Sequence, residues 1–256
     1  MEKTEKHSTE HFRALRLFHY TKDYETLMEI IKNGLRCSLL YEKIPNPVIL
    51  KDKKVETKRG DKLAYMVKCA CMCDTPLSKV RSHVEIYGKY AIGFSSKKLD
   101  KTIAMPVIYS NADISGIDND SERSEFYRSN WGITRRVKMV NGKFVKDGVD
   151  LDNVYFMDEN EWRFFPVKDA SKPSLHWYNN EDELQNMLKD EQKKVKYTKN
   201  DYIKFDILDD VEYIILEDKE DYARFLEDIK KDKKYEKRLE DILPKVLFYE
   251  SLKRDL

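Results

Sequence analysis

The sequence is poor in glycine and proline, with eight and seven among 256 residues. That scarcity excludes collagen-like, Gly/Ser-linker and Pro-rich architectures. Neither a G-x-G-x-x-G nor a G-x-x-x-x-G-K-[ST] pattern is present, so no Gly-rich phosphate loop can be read. One-sign charge is missing too: 48 Lys and Arg stand against 47 Asp and Glu, for a formal +1. Strong one-sign attraction to nucleic acid or membrane is therefore not the default. No run approaches the ~18 apolar residues that span a bilayer, and Met1 to Lys6 is not followed by an apolar segment. A cytoplasmic protein without membrane association is the expectation.

Cysteine is scarce as well, with four residues, three of them at Cys69, Cys71 and Cys73. This is no disulfide framework. In a strand the three share one face. A zinc site completed by His83 or Cys37 would lack the usual two-to-four-residue spacer. The pattern reads as a buried strand of small side chains, and no metal is expected. What is abundant is core material: 41% hydrophobic and 12% aromatic residues, including 16 Tyr and 11 Phe.

Periodicity divides the chain into mixed elements. Leu15 to Tyr20 reads as a strand. Asp23 then caps a helix with Tyr24, Leu27, Met28 and Ile31 on one face, and Gly34 stops it. Residues 41–63, with Pro45, Pro47 and many lysines, read as a surface loop. A strand from Ala64 to Cys73 leads to Thr75 as N-cap and Pro76 as first residue of a helix carrying Leu77, Val80, Val84 and Tyr87 and closed by Gly88. The next strand, Tyr90 to Ser95, has small residues on one face, where a backbone or a flat ligand can come close.

Pro106 to Tyr109 reads as a short strand, and residues 118–131 as a helix anchored by Phe126, Tyr127 and Trp131. Asn141-Gly142 between Arg136–Val140 and Lys143–Lys146 reads as a hairpin turn in a charged insertion near 135–149. Val154–Met157 and Trp162–Val167 are predicted strands flanking the acidic Asp158-Glu159-Asn160-Glu161. Asn180 with Glu183 opens a further helix. Val211–Leu216 is the last strand, followed by a helical segment over 218–256 that Pro244 kinks or ends. With no repeat and no linker, residues 1–256 read as one α+β domain.

Five histidines can be weighed singly. His7 and His11 sit in a polar lead, and His176 beside Trp177 suits packing. His19 stands at a strand end, where a scaffold can hold it toward a cleft, although a hydrogen-bonded structural role is the commoner one. Glu159 and Glu161 have the i, i+2 spacing that sends both carboxylates to one side of an extended chain, and such closeness shifts pKa values apart. A solvated acidic turn has the same signature. Arg163 suits either a phosphate or, more simply, an ion pair with these glutamates. Tyr87 and Tyr90 bracket Gly88-Lys89 and suit ring stacking or core packing. Lys193, Lys194, Lys196 and Lys199 surround Tyr197, but Asp190, Glu191 and Asp201 beside them point to a solvated charged face.

The order of these segments resembles the AbiGi family of abortive-infection proteins. The segments are Phe18-His19-Tyr20-Thr21 with the following helix, Cys71-Met72-Cys73-Asp74-Thr75-Pro76-Leu77, Tyr87 to Phe94, Pro106 to Tyr109, and Asp158 to Arg163. It is similar also to ADP-ribosyltransferases of the DarT-like or His-Tyr-Glu kind. That resemblance implies a split sheet with flanking helices and NAD as substrate. It implies His19 on a ribose with Tyr20 and Thr21 beside it, Tyr87 or Tyr90 on nicotinamide, Glu161 as catalytic glutamate and Glu159 as activator of the acceptor. A fixed carboxylate would stabilise the positive charge that develops on the sugar as the glycosidic bond breaks. The expected function is therefore an ADP-ribosyltransferase toxin of phage defence acting on RNA, DNA or protein. The alternative is a non-enzymatic antitoxin or regulator that binds a cognate toxin. The former requires His19, Tyr90 and Glu161 to line one cleft.

Overall fold

The computed structural model describes residues 16–45, 48–51, 54–57, 62–77, 81–95, 104–117, 119–146, 149–166 and 174–253. His7 and His11 lie outside them.

The first unit follows its local signals. Strand β1 (Leu17–Thr21) leads to helix α1 (Tyr24–Asn33), whose Asp23 carboxylate accepts the Thr26 N–H at 2.7 Å. This satisfies one of the orphan donors of the first turn. Gly34 ends the helix at φ +91°, donating its N–H to Ile30 at 2.8 Å. A Cβ there would lie 2.7 Å from the Ile203 carbonyl oxygen, so glycine is needed both for conformation and for space.

The segment expected as an irregular loop is instead mostly strand. After β2 (Leu35–Arg36) come β3 (Ser38–Lys43), β4 (Val48–Lys51) and β5 (Lys54–Thr57). β3 pairs with the long β6 (Lys62–Cys73), and β4 with β5 in a hairpin. Its many charges mask the extended pattern, because a hairpin outside the main sheet has no face that must be apolar.

β6 is the axis of the fold. Its first half pairs with β3 and with β14 (Ser174–Tyr178), and its second half with β13 (Glu161–Phe164) and, at Cys73, with β1. Helix α2 (Arg81–Tyr87) and β7 (Tyr90–Phe94) follow it, with Gly88 at φ +110° packed against the Thr21 carbonyl. Thr75 does not cap this helix; its hydroxyl lies 3.3 Å from the Glu159 carbonyl oxygen and donates to it. The small-residue face of β7 is filled by protein: a Cβ on Gly93 would come 2.6 Å from the Phe18 ring.

β8 (Ala104–Pro106) borders β13, while β9 (Ile108–Ser110) leaves the sheet to pair in parallel with β10 (Val137–Met139). Between β9 and β10 lie α3 (Asp120–Ser129) and α4 (Trp131–Thr134). β11 (Asn141–Lys146) and β12 (Val149–Tyr155) form a separate ribbon in which Asn141 pairs with Tyr155. Asn141-Gly142 therefore opens the ribbon and is not its turn. The strands connect through residues 147 and 148, outside the described set.

Helix α5 (Glu181–Lys194) begins at Asn180, whose side chain accepts the Glu183 N–H at 2.9 Å. Further on are β15 (Tyr202–Ile203), α6 (Ile207–Asp210), β16 (Val211–Leu216) and α7 (Lys219–Lys231). Beyond it the segment expected to be helical contains α8 (Leu239–Ile242) and α9 (Tyr249–Leu252), and between them β17 (Val246–Phe248), which lies parallel to β16. The main sheet runs β17-β16-β7-β1-β6-β13-β8, with β3 and β14 also on β6. The architecture is mixed α and β.

One face of the sheet is apolar. Leu17, Ala70, Met72, Ile92 and Phe94 pack there with Leu27 and Ile31 of α1 and Phe225 and Ile229 of α7. The other face carries two smaller apolar clusters, one around Phe18, Tyr20 and Val84, and one around Tyr65, Val67 and Tyr127. Polar side chains gather on this second face.

Candidate functional site

Strand register selects the members of the polar cluster. Residues paired across neighbouring strands share a face, and β6 pairs Tyr65 with Glu42, Cys71 with Arg163, and Cys73 with both Glu161 and Phe18. Glu42, Arg163 and Glu161 therefore project from one face. Lys138 comes down on them from β10, and Glu159 arrives from the 3-10 turn Phe156–Glu159. Asn160 makes the bend between that turn and β13 with φ 43°, in the left-handed region.

The result is a chain of alternating charges. Arg163 Nε donates to Glu161 Oε1 at 2.7 Å, and another of its nitrogens donates to Glu42. Lys138 Nζ donates to Glu161 Oε2 and to Glu159 Oε2, each at 2.7 Å. The Tyr87 hydroxyl donates to Glu159 Oε1 at 2.6 Å. Arg163, fully buried, also donates to the Tyr65 hydroxyl at 2.7 Å and to the Arg135 carbonyl at 3.1 Å. Each oxygen of Glu161 thus has a cationic donor, and its backbone N–H donates to Tyr109 Oη at 2.9 Å.

Burial works against charge on Glu161, Lys138, Arg163 and Glu42, and the balance with their partners decides the outcome. For Glu161, burial is outweighed by the Arg163 guanidinium and the Lys138 ammonium, which hold its carboxyl well below the usual range. Lys138 and Arg163 are raised against the same penalty, chiefly by Glu161. For Glu42 burial wins over its attraction to Arg163, and its carboxyl is pushed up. Burial and the nearby Lys138 push His83 down to about 4, so its imidazole is neutral. That ring lies 4.4 Å from Tyr87 and 5.1 Å from Tyr20 between ring centres.

The structure thus brings Glu159, Glu161 and Tyr87 together, with Tyr20 on the same face across the His83 ring, but not with His19, Thr21 and Tyr90. His19 pairs with Ile92 and Thr21 with Tyr90, so strand alternation sends them to the apolar face, away from Glu161. The His19 Nδ1 lies 2.8 Å from the Cys71 carbonyl oxygen and donates to it. The Tyr90 hydroxyl donates to Asp221 of α7 at 2.6 Å. Tyr20 is buried on the face of Phe18, against Val84 and Tyr249. His19, Thr21 and Tyr90 therefore lie on one face of the sheet, and Tyr20, Glu159, Glu161 and Tyr87 on the other. Cys69 and Cys71 have sulfurs 3.9 Å apart, and among the described residues no group of three or more His, Cys, Asp and Glu is arranged for a metal ion.

Two members escaped the sequence reading. Glu42 fell in the supposed loop, and Lys138 in the supposed charged hairpin. The signal for Lys138 was local: a lysine between Val137 and Met139 in a strand covered on both sides. Arg163 fulfils the simpler of its two readings, an ion pair with the adjacent glutamate.

The model of the family described as "Putative abortive phage resistance protein AbiGi, antitoxin" matches residues 49–217. No curated protein and no solved structure matches the chain. The description corrects the expected function: it names an antitoxin, against an ADP-ribosyltransferase toxin, and agrees with the non-enzymatic alternative. With about two-thirds of its length matched, including β6, Lys138 and the glutamate pair, this chain belongs to the AbiGi family of abortive phage resistance proteins.

Proposed function

We propose that this protein is a non-enzymatic antitoxin that binds and silences a cognate toxin protein in phage defence. The observation that carries the reading is the family match over residues 49–217. The ion chain supports it, because the glutamates that resemble catalytic groups already serve as ligands of Lys138 and Arg163. Their role is to hold the layer formed by β9, β10 and the 3-10 turn on the sheet. Among the described residues no helix is long and apolar enough to cross a membrane, and the partner is taken to be a protein.

The test is co-expression with the products of neighbouring genes. The expected result is that one of them stops growth alone, that this chain restores growth, and that the two purify as a complex. A Glu161→Gln variant should lose protection only where it has unfolded. Absence of complex and rescue with every neighbour would overturn the proposal. So would release of nicotinamide from NAD by the purified chain, abolished in Glu161→Gln at an unchanged unfolding midpoint.

A further inference from the structure

The network has three carboxylates and two cations, in the order Glu42, Arg163, Glu161, Lys138, Glu159; the last four are buried, and the Glu42 side chain is 16% exposed. A carboxylate stands at each end. The Glu159 end is closed by the Tyr87 hydroxyl as well as by Lys138, and the central Glu161 sits between both cations. Glu42 meets the shared Arg163, whose other donors are committed to Glu161, Tyr65 and Arg135. One negative charge in this sequence of five has no cation of its own, and the geometry leaves it at Glu42. A net charge held in a largely desolvated site is costly, and a proton is the smallest counterion that removes it.

We infer that Glu42 is the proton-accepting end of the network, and that the clamp between the sheet and the β10 layer is tightest with one proton bound there and loosens as the pH rises. The groups facing Glu42 are Arg163 and Glu161 from β13, Lys138 from β10, Glu159 from the 3-10 turn and Tyr65 from β6, and Tyr41 precedes it on its own strand with its side chain on the other face. Neither tyrosine relieves the charge, since burial raises both phenols and keeps them neutral. The upward direction of the Glu42 carboxyl agrees with the charge order. In the unfolded chain the same group titrates near pH 4.3. The folded state therefore binds one proton more than the unfolded state between that pH and the folded-state value. The proton-linked stabilisation is complete below the first and lost as the pH rises through the second. His83 acts in the opposite sense below about pH 6.5, because folding keeps it neutral.

The experiment compares the pH dependence of unfolding in the intact chain and in Glu42→Gln, so that His83 and all other groups cancel in the difference. The expected result is that the folding constant of the native chain falls relative to the variant by up to about tenfold per pH unit while the proton is being lost. Glu42→Gln should then be the more stable of the two at high pH. A difference that stays flat with pH, or a variant destabilised equally at all pH values, overturns the inference. Infrared difference spectroscopy of the native chain gives a second readout should the variant fail to fold. A protonated carboxyl band that fades with rising pH, together with faster amide exchange in 137–139 after correction for intrinsic rates, supports the clamp. Carboxyls that remain ionised throughout refute it.

Discussion

The two faces of β6 are built from alternate residues of the same twelve, yet they are held by different physics. On one side Ala70 and Met72 join Leu17 and Ile92 beneath α1 and α7, in a cluster that stabilises through area removed from water. On the other, Cys71 and Cys73 lie beside Arg163 and Glu161, and a chain of ion pairs connects the sheet to β10. The apolar face tolerates small losses of contact and gains energy with every buried methylene. The charged face gains little net energy, since desolvation cancels much of the attraction, but it penalises any unmatched partner heavily. A face of the second kind specifies one arrangement of the layer above it and excludes the alternatives.

The most severe way to break this contrast is Arg163→Met, which leaves Glu161 and Glu42 buried without their shared cation. A loss of about 3–5 kcal/mol is expected in urea unfolding. A loss well below that of an apolar truncation would show that the charged face is dispensable. Acid tests the same face without mutation. Because its cationic partners hold the Glu161 carboxyl below its usual range, their contribution is present above about pH 4.5 and is lost as the pH falls below it. Near-ultraviolet signals and amide exchange in the β10 layer should therefore change in acid before those of α1 and α7.

On the apolar face Leu27→Ala should cost about 2–5 kcal/mol, depending on how far α1 settles onto the cavity. Its effect should carry no pH dependence between about pH 5 and 8, because the deleted side chain carries no titratable group. The smallest expected effect sharpens the comparison from outside both cores. Asp23→Ala removes the α1 cap for about 1 kcal/mol, read from the unfolding midpoint.

Elements with a strong local signature were legible in the sequence. Asp23 and Gly34 bounded α1, Asn180 opened α5, and the alternation of Tyr90, Ile92 and Phe94 marked β7. The misreadings fall where local chemistry and tertiary pairing disagree. Pro45 and the lysines around it suggested a loop, although β3, β4 and β5 form there. Asn141-Gly142 carried a turn signal, but β10 had already turned away to pair with β9. β17 is three residues long, too short for any periodicity. For the candidate site, Glu159, Glu161 and Arg163 were visible because they are neighbours in the chain. Glu42 and Lys138, about 120 and 23 residues from Glu161, were not.

By itself the sequence determined which segments could be strands and helices, because capping side chains, left-handed glycines and apolar spacing act over a few residues. It also set the supply of charge, three carboxylates and two cations destined for one interior. Only the tertiary structure decided that these five groups meet, since register across β3, β6 and β13 and the descent of β10 bring together positions that no local interaction links. The same register directed His19 and Glu161 to opposite faces, and the stability of an ion within a protein depends on what stands beside it in space.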